Sequence, residues 1–344
     1  MSLQRRLLTS ALTAALALSA VAAAPGAASA AAGGQLTVTN RDVLPSNSAV
    51  VLSKIQNVAD SSQRMHDKAT LRLTNTGTAA VGVSALSSTG AFTLTAPWKL
   101  PFTLTAGSSV DLTVAFVATT GDWHTGSAVI SWFDDQPRTT TVKLSGWWQK
   151  YSEKGLEPRL GDLVRNFGYG TVMPTAIYSR GAYQAFSSDE VLSPYWTSLD
   201  PAKPARVTQI AAWRGYPSNV VVRKFAKGSS SQTYQVFSGL KNDAQSAYPR
   251  DTSWARGTAT FSIGSTIGLK VDNEFSDPKL NSSAGDRAAG CTATQCGHHL
   301  RVFQARQPDG TLIPGAYLMA QDFEGINYDY QDNVFLLENL KPAA

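Results

Sequence analysis

Oxygen-bearing side chains crowd together near the C-terminal end of the chain. Eleven positions hold five Asp, Glu and Asn residues, which are Asp322, Glu324, Asn327, Asp329 and Asp332. Carboxylates packed this tightly raise one another's pKa unless they spread around a turn and cap backbone NH groups, or a hard cation neutralises them. The sequence leaves both readings open: turn capping or a cation site.

A second acidic segment, VDNEFSDP, lies earlier in the chain and begins at Val271. Each segment directly follows a strand-like run, so both could lie at the same end of a β-sandwich, where loops commonly display a site. A ligand set made only of oxygens fits calcium best, although an EF-hand would need its glycine and its last glutamate at other positions. The predicted ligands are Asp272, Glu274, Asp277, Asp322, Glu324, Asn327, Asp329 and Asp332.

The elements around the C-terminal cluster follow from the apolar pattern. Two apolar runs, residues 316–319 and 334–337, enclose the acidic positions. Short apolar runs bounded by turn residues are typical of strands. We therefore expect a strand, an acidic loop and a second strand.

The first thirty residues have the form of a secretory signal peptide. Arg5 and Arg6 precede an Ala/Leu-rich run, and Ala28-Ser29-Ala30 has the small-x-small form of a cleavage site. We predict a signal peptide over residues 1–30, export to the cell envelope or medium, and no membrane span afterwards. Its removal takes two arginines and no acids, so the formal net charge falls from +5 to +3. Near-neutrality, without cations interleaved with aromatics, argues against a nucleic-acid partner.

Residues 31–147 read as one strand after another. Alternation is clearest where Val110, Leu112, Val114 and Phe116 share one face. Strands of this length between regular turn signals predict a β-sandwich of roughly seven strands. The predicted strands are 49–55, 70–74, 81–86, 110–117, 128–132 and 140–144.

Three segments of this first half resemble a known domain family. ATLRLTNTGTAAVGVSAL, PFTLTAGSSVDLTVAFVAT and TTVKLSGWW resemble the Hydin-like (ASH, or choice-of-anchor D) immunoglobulin-like domain of many secreted bacterial proteins. The resemblance implies a spacer or interaction module without catalysis.

Residues 148–344 read as a second, larger domain, joined to the first by a short hinge after the paired tryptophans Trp147 and Trp148. Burial between the domains is the commoner use of such tryptophans. One short helix is predicted between Pro158 and Gly168, since the apolar positions have a helical spacing. The rest predicts another sandwich or jelly roll, with strands at 207–213, 220–225, 233–237, 258–263 and 267–271.

The second half carries resemblances too. GLKVDNEFSDP and GHHLRVFQARQPDGTLIPGAYLMAQDFEGINYDYQDNVFLLENLKP resemble secreted bacterial proteins in which a Hydin-like domain precedes a β-domain of unknown function. NYDYQDNVFLL is similar to the ending of β-rich domains of adhesin-like proteins, which implies calcium at Asp329 and Asp332 first and Asn327 next. No activity comes with either resemblance.

Cys291 and Cys296 are the only cysteines in the chain. In an exported protein a disulfide between them is the default. The rival is a zinc site made with His298 or His299, although neighbouring residues of a strand point to opposite faces and cannot easily serve one metal.

Three functions therefore compete. The first is a non-catalytic exported protein whose calcium-binding loop serves envelope association or ligand binding. The second is a carbohydrate-binding module that stacks sugars on aromatic rings, with candidates Tyr195, Trp196, Trp213, Tyr216 and Trp254. The third is a polysaccharide hydrolase using two of Glu274, Asp277, Glu324 and Asp329 across a cleft, but no catalytic motif supports it.

Overall fold

The computed structural model describes residues 33–56, 66–174, 180–216 and 218–343. The predicted signal peptide over residues 1–30 lies outside these ranges. Within them, no helix has the length and apolar character needed to cross a lipid bilayer.

Nine strands build the first sandwich. They are β1 (Leu36–Asn40), β2 (Ala49–Ile55), β3 (Lys68–Asn75), β4 (Val81–Ser88), β5 (Phe92–Thr95), β6 (Phe102–Leu104), β7 (Ser109–Phe116), β8 (Asp122–Phe133) and β9 (Pro137–Gln149). One sheet has the order β1-β3-β7-β5 and the other β2-β9-β8-β4-β6. The alternation predicted for β7 is present, because Val110, Leu112, Val114 and Phe116 are buried in the core between the sheets.

The predicted fold class, mainly β with an immunoglobulin-like sandwich followed by a larger one, is confirmed. The first sandwich has nine described strands where the sequence predicted roughly seven. The unpredicted strands β1, β5 and β6 are only three to five residues long, which leaves little room for a periodic pattern.

The second part of the chain holds twelve described strands and two short α-helices. The strands are β10 (Trp196–Ser198), β11 (Ala205–Trp213), β12 (Val220–Ala226), β13 (Thr233–Gly239), β14 (Gln245–Ala247), β15 (Thr258–Phe261), β16 (Ile267–Val271), β17 (Glu274–Phe275), β18 (Leu300–Arg306), β19 (Leu312–Gln321), β20 (Asn333–Glu338) and β21 (Leu340–Pro342). The helices are α1 (Leu160–Asn166) and α2 (Ala284–Ala288), and single 3-10 turns occupy Lys241–Asp243, Pro278–Leu280 and Phe323–Gly325. The sequence predicted α1 and missed α2.

Two sheets pack face to face in this second sandwich. One has the order β13-β12-β16-β10-β21, with β17 beside β16; the other has the order β14-β11-β20-β19-β18, with β15 beside β11. The second of these sheets is covered on both faces, by the inner core on one side and by α1 with part of the first sandwich on the other. Double coverage explains why β19 and β20 contain continuous apolar runs rather than alternation.

Helix α1 packs on the outer face of that sheet. Leu160, Leu163 and Val164 are buried within the helix, and Phe167 is buried at its C-terminal cap. Gly168 follows with a φ of 83°, the left-handed conformation that glycine adopts most readily at the end of a helix. The spacing of apolar residues between Pro158 and Gly168 therefore predicts this helix and its end correctly.

Strand β9 belongs to the first sandwich along its whole length, and its end packs against the second sandwich. Because adjacent strand residues point to opposite faces, Trp148 joins the core of the first sandwich and Trp147 the core around α1. Both tryptophans are buried, but only Trp147 packs between the two sandwiches, where the sequence favoured both.

Polar contacts also join the two sandwiches. Buried His66 contacts the Ala247 carbonyl through Nδ1 at 3.1 Å and Asp42 through Nε2 at 2.8 Å. Arg256 of the second sandwich donates to the other oxygen of Asp42 at 3.2 Å. The pKa of Asp42 is lowered because contacts with His66 and Arg256 outweigh the effect of burial. One carboxylate therefore holds partners on both sides of the junction.

We expect Asp42→Asn to destabilise the protein by about 2 kcal/mol, since it leaves a buried histidine and a half-buried arginine without their charged acceptor. The matched control is Asp111→Asn, which removes an exposed bidentate pair with Arg72 and should change stability little. Urea unfolding followed by tryptophan fluorescence measures both. Equal losses of stability in the two variants would show that the contact at Asp42 contributes no more than an exposed ion pair.

Candidate functional site

The acidic loop is the closed end of a hairpin. Strands β19 and β20 pair antiparallel, and their last matched residues are Gln321 and Asn333. Both side chains are buried, and Asn333 Nδ2 donates to Gln321 Oε1 at 2.7 Å. Asp322 and Asp332 are the next residues on either strand, so closure of the hairpin brings them opposite each other. The apolar runs that form the strands thus position two carboxylates.

Two tyrosines fold the middle of the loop back against the sandwich. Tyr328 donates from its hydroxyl to Asp286 Oδ1 at 3.0 Å, and Tyr330 donates to the His298 carbonyl at 2.7 Å. Both rings are buried, and both residues have positive φ, 60° and 59°. A left-handed backbone is costly for residues other than glycine. The loop holds this conformation with Asp329 between the two tyrosines.

Asp322, Asp329 and Asp332 converge on one point. One carboxylate oxygen from each residue lies within 4.8 Å of the others. Calcium binds oxygens at about 2.3–2.6 Å, so two oxygens on opposite sides of one ion are roughly 5 Å apart. The spacing therefore suits a single ion held by all three residues.

The three carboxylates have fewer hydrogen-bond donors around them than their buried oxygens need. Phe323 N donates to Asp332 Oδ2 at 2.7 Å, and Ile326 N donates to Asp322 Oδ1 at 3.0 Å. Asp322 Oδ2 and Asp329 Oδ1 are buried and accept no hydrogen bond from the residues that the structure describes. Asp322 itself has no exposed surface. A buried carboxylate oxygen without a partner is costly, so this site is short of positive charge or donors.

The protonation equilibria of the cluster reflect that shortage. Burial, followed by the negative charge of Asp329, raises the pKa of Asp322 to about 7. Burial also raises the pKa of Asp332 well above its usual range, with the charges of Asp322 and Asp329 adding to the effect. For Asp329, burial raises the pKa despite nearby polar groups of Gln331. None of the three forms an ion pair with lysine or arginine in the described ranges.

Two glutamates that the sequence analysis missed lie near the cluster. Glu153 and Glu157 belong to the connecting segment, defined here as residues 150–159 between β9 and α1. Burial and the charge of Glu157 raise the pKa of Glu153 to about 7, and burial is also the main cause of the raised pKa of Glu157. The charge of Asp329 adds to both shifts. More than 160 residues separate these glutamates from the loop, so no local pattern could have found them.

The second acidic segment does not join this group. Asp272 accepts hydrogen bonds from the Tyr216 hydroxyl at 2.7 Å and from Val221 N at 2.8 Å. Asp277 caps Lys279 N at 3.0 Å and accepts from the Tyr195 hydroxyl at 2.7 Å. These two carboxylates accept hydrogen bonds from backbone NH groups and tyrosine hydroxyls, as expected for turn capping rather than for a cation site.

Glu274 is engaged by a histidine instead. His299 contacts Glu274 Oε2 through Nδ1 at 2.5 Å and Asp286 Oδ1 through Nε2 at 3.0 Å, and all three are buried. Burial alone would lower the pKa of His299, but contacts with the two carboxylates raise it to about 9. The buried acids of this neighbouring group therefore have a cation, unlike those of the aspartate cluster.

Glu324 and Asn327 are exposed members of the acidic loop. Glu324 lines a pocket of 280 Å³ together with Glu274 and His299, and its backbone NH donates to Glu274 Oε1 at 3.3 Å. Asn327 donates to Asp329 Oδ2 at 2.8 Å. The two acidic segments therefore meet, as the sequence suggested, but three of the eight predicted ligands form the cluster.

Gly325 allows the loop to approach His299 closely. A Cβ at this position would lie 2.6 Å from His299 Nε2 and 2.7 Å from Asp286 Oδ1. Its φ of 65° is also left-handed. Only glycine meets both requirements without displacing the ion pair.

Cys291 and Cys296 form the predicted disulfide. Both sulfurs are used by this bond, so neither is a thiolate ligand for zinc. His298 and His299 lie in different surroundings: His298 packs edge-on against Tyr183 with ring centroids 4.9 Å apart, whereas His299 lies between its two carboxylates.

Most of the aromatic residues considered for sugar stacking are engaged within the protein. Trp196 and Trp213 are buried, and Tyr216 stacks on Phe323 at 4.3 Å. Tyr195 is half-buried and bonded to Asp277. Trp254 is 50% exposed, with the Arg250 guanidinium 4.9 Å from its ring centroid. Trp254 is therefore the one ring of these five candidates that keeps half of its surface exposed.

No family model matches this chain, and no curated protein sequence matches it. Among solved structures it is similar to the ASH/PapD-like domain of human CEP192, with 11% identity, a TM-score of 0.27, and coverage of 40% of this chain and 98% of that one. It is also similar to the periplasmic chaperone SfaE, with 10% identity, a TM-score of 0.26, and coverage of 81% and 96%. The VesB protease of Vibrio cholerae has 13% identity, a TM-score of 0.25, and coverage of 33% and 32%. Likenesses this weak carry no argument about function, and membership of the Hydin-like family stays a prediction.

The raised pKa of His299 gives a testable pH dependence. The folded-state pKa of about 9 lies above the ordinary value of 6.5, so protonation of His299 stabilises the fold at low pH. This contribution is complete below pH 6.5 and is lost as the pH rises through 9, a loss on the order of 3 kcal/mol. Urea unfolding between pH 6.5 and 10 should show the decline in the wild type and in the control His124→Gln. A His299→Gln variant with an equally steep decline would contradict the assignment.

Proposed function

We propose that this chain is an exported, non-catalytic binding protein whose second sandwich holds a divalent cation, calcium by its chemistry, at Asp322, Asp329 and Asp332. The supporting observation is a buried Asp322 oxygen without a donor, inside a cluster whose oxygens lie within 4.8 Å of one another. Oxygen-only ligands favour calcium over softer metals. The disulfide fits an oxidising, extracytoplasmic setting.

The cation would act on the acidic loop. Loop residues carry strained left-handed backbones at Glu324, Tyr328 and Tyr330, and an ion that holds three carboxylates together opposes the opening of such a loop. Because the ligands converge only in the folded hairpin, binding energy adds to folding stability. In this proposal the ordered loop is a surface presented for a partner in the envelope, and the first sandwich is the spacer that carries it.

The geometry favours binding over hydrolysis. A glycosidase needs two carboxyl groups roughly 5–10 Å apart on either side of a scissile bond. The three aspartates instead direct oxygens at one point, and Glu274 and Asp277 are occupied by His299, Tyr195 and a backbone NH. Convergent carboxylates suit an ion better than a sugar ring.

We expect calcium to raise the melting temperature of the chelator-treated protein, by an amount equivalent to about 2.7 kcal/mol at 100 times Kd. Asp322→Asn should have two opposite effects. In chelator it should raise the melting temperature, because it removes a buried, repelled charge, and in calcium it should lose most of the gain. Differential scanning calorimetry in calcium and in chelator measures both.

Asp309→Asn is the matched control, since Asp309 caps an exposed turn elsewhere in the second sandwich. This variant should keep the full response to calcium. A wild-type protein that melts at the same temperature in calcium and in chelator would remove the cation from the account.

Stability without calcium should fall as the pH rises from about 4 to 7. Asp322 and Glu153 have folded-state pKa values of about 7, above the ordinary values of 3.8 and 4.5. Within that window the folded state keeps protons that the unfolded state has released, so raising the pH favours unfolding. Calcium takes the place of those protons. The calcium-induced rise in melting temperature should therefore be larger at pH 7.5 than at pH 5, and the reverse order would contradict the assigned ligands.

A further inference from the structure

The connecting segment brings its own carboxylates to the proposed cation site. Strand β9 ends at Gln149, whose side chain is buried and makes four hydrogen bonds, one of them from Gln149 Nε2 to the Tyr151 carbonyl at 2.9 Å. Trp213 Nε1 and Trp147 Nε1 both donate to Gln149 Oε1 at 2.9 Å, and Gln149 Nε2 donates to Gln245 Oε1 at 3.0 Å. The start of the segment is therefore held against β11 and β14.

Glu153 is placed by the same network. Gln245 Nε2 donates to Glu153 Oε1 and, at 3.2 Å, to the Arg214 carbonyl. The Glu153 carboxyl carbon lies 3.1 Å from the position that a Cβ on Gly215 would take. Two residues before that glycine, Trp213 N donates to the Asp332 carbonyl at 3.1 Å. Glu153 thus lies beside the strand that receives the end of the acidic loop, and its charge acts on Asp332.

One carboxylate oxygen of Glu157 lacks a hydrogen-bond donor among the described residues, as in Asp322 and Asp329. This oxygen, Oε1, is buried. The charge of Asp329 acts on Glu157 and on Glu153, and neither glutamate forms an ion pair in the described part of the chain. Five carboxylates from two segments far apart in sequence therefore act on one another, and none of them forms an ion pair with a lysine or arginine among the described residues.

We infer that Glu153 and Glu157 complete the cation site, so that one ion joins the connecting segment to the acidic loop and fixes how the segment leaves the first sandwich. This inference rests on the proposed calcium binding by the three aspartates. Calcium takes six to eight oxygens, which three aspartates supply only if every carboxylate binds through both oxygens. Two of their oxygens already accept backbone NH groups, so further ligands are needed. The glutamates can supply charged oxygens, since both interact electrostatically with Asp329.

Isothermal titration of the chelated full chain with calcium chloride tests the ligand assignment. The double variant E153Q/E157Q should bind calcium about tenfold or more weakly than the wild type, since affinity follows the number of charged ligands. Glutamine keeps the size of each side chain and removes repulsion, so the variant should be at least as stable as the wild type in chelator. The matched control is E324Q, because Glu324 lies in the acidic loop but faces the pocket of Glu274 and His299; it should bind calcium as the wild type does.

Trypsin gives a second readout at the connecting segment, which contains Lys150, Lys154 and Arg159. Calcium should slow cleavage there severalfold in the wild type and in E324Q, and should change it little in E153Q/E157Q, with the rates compared within each variant. Wild-type affinity and protection in E153Q/E157Q would overturn the glutamate assignment and leave the aspartate site intact. Absence of calcium binding by the wild type would overturn both proposals.

Discussion

Uncompensated negative charge is the constraint on which the rest of this structure depends. Elsewhere the chain pairs its buried carboxylates: Asp42 with His66 and Arg256, Glu274 and Asp286 with His299, and Glu190 with Arg301. The loop that closes the β19–β20 hairpin departs from this practice, because it buries Asp322 with an oxygen that accepts nothing. Because the described residues pair the other buried carboxylates named above and give this cluster no ion pair, the position requires either protons or a cation.

The hairpin and its surroundings act together. Apolar runs buried on both faces fix the register of β19 and β20, register places Asp322 opposite Asp332, and two buried tyrosines turn Asp329 toward them. The strain at Tyr328 and Tyr330 is supported by their hydrogen bonds to Asp286 and His298. His299, next along the chain, holds Asp286 in turn. The ion pair of His299 with Asp286 and the acidic loop are thus parts of one arrangement, in which packing stabilises an electrostatically costly geometry.

The elements that depend on a local pattern of residues could be predicted from the sequence. Alternation in β7, the apolar runs of β19 and β20 and the helical spacing of α1 predicted those elements, because each pattern reflects burial of its own element. Residue type and position after a strand also predict calcium ligation by Asp272, Glu274 and Asp277. Composition does not show that Tyr216, His299 and Tyr195 already donate to these carboxylates. Glu153 and Glu157 were missed for the converse reason, since only the path of the chain between the two sandwiches brings them to a loop so distant in sequence.

The position of the end of β9, at the junction of the two sandwiches, has a consequence for how this protein can change. Trp147 and Trp148 occupy different cores only because they are neighbours on a pleated strand. Adding or deleting one residue upstream of them within β9 would exchange the two rings between cores of different shape. Ordinary linkers tolerate such changes of length, but the end of β9 should not. Recombination that exchanges the two halves of the chain therefore has to keep the number of residues in β9 unchanged.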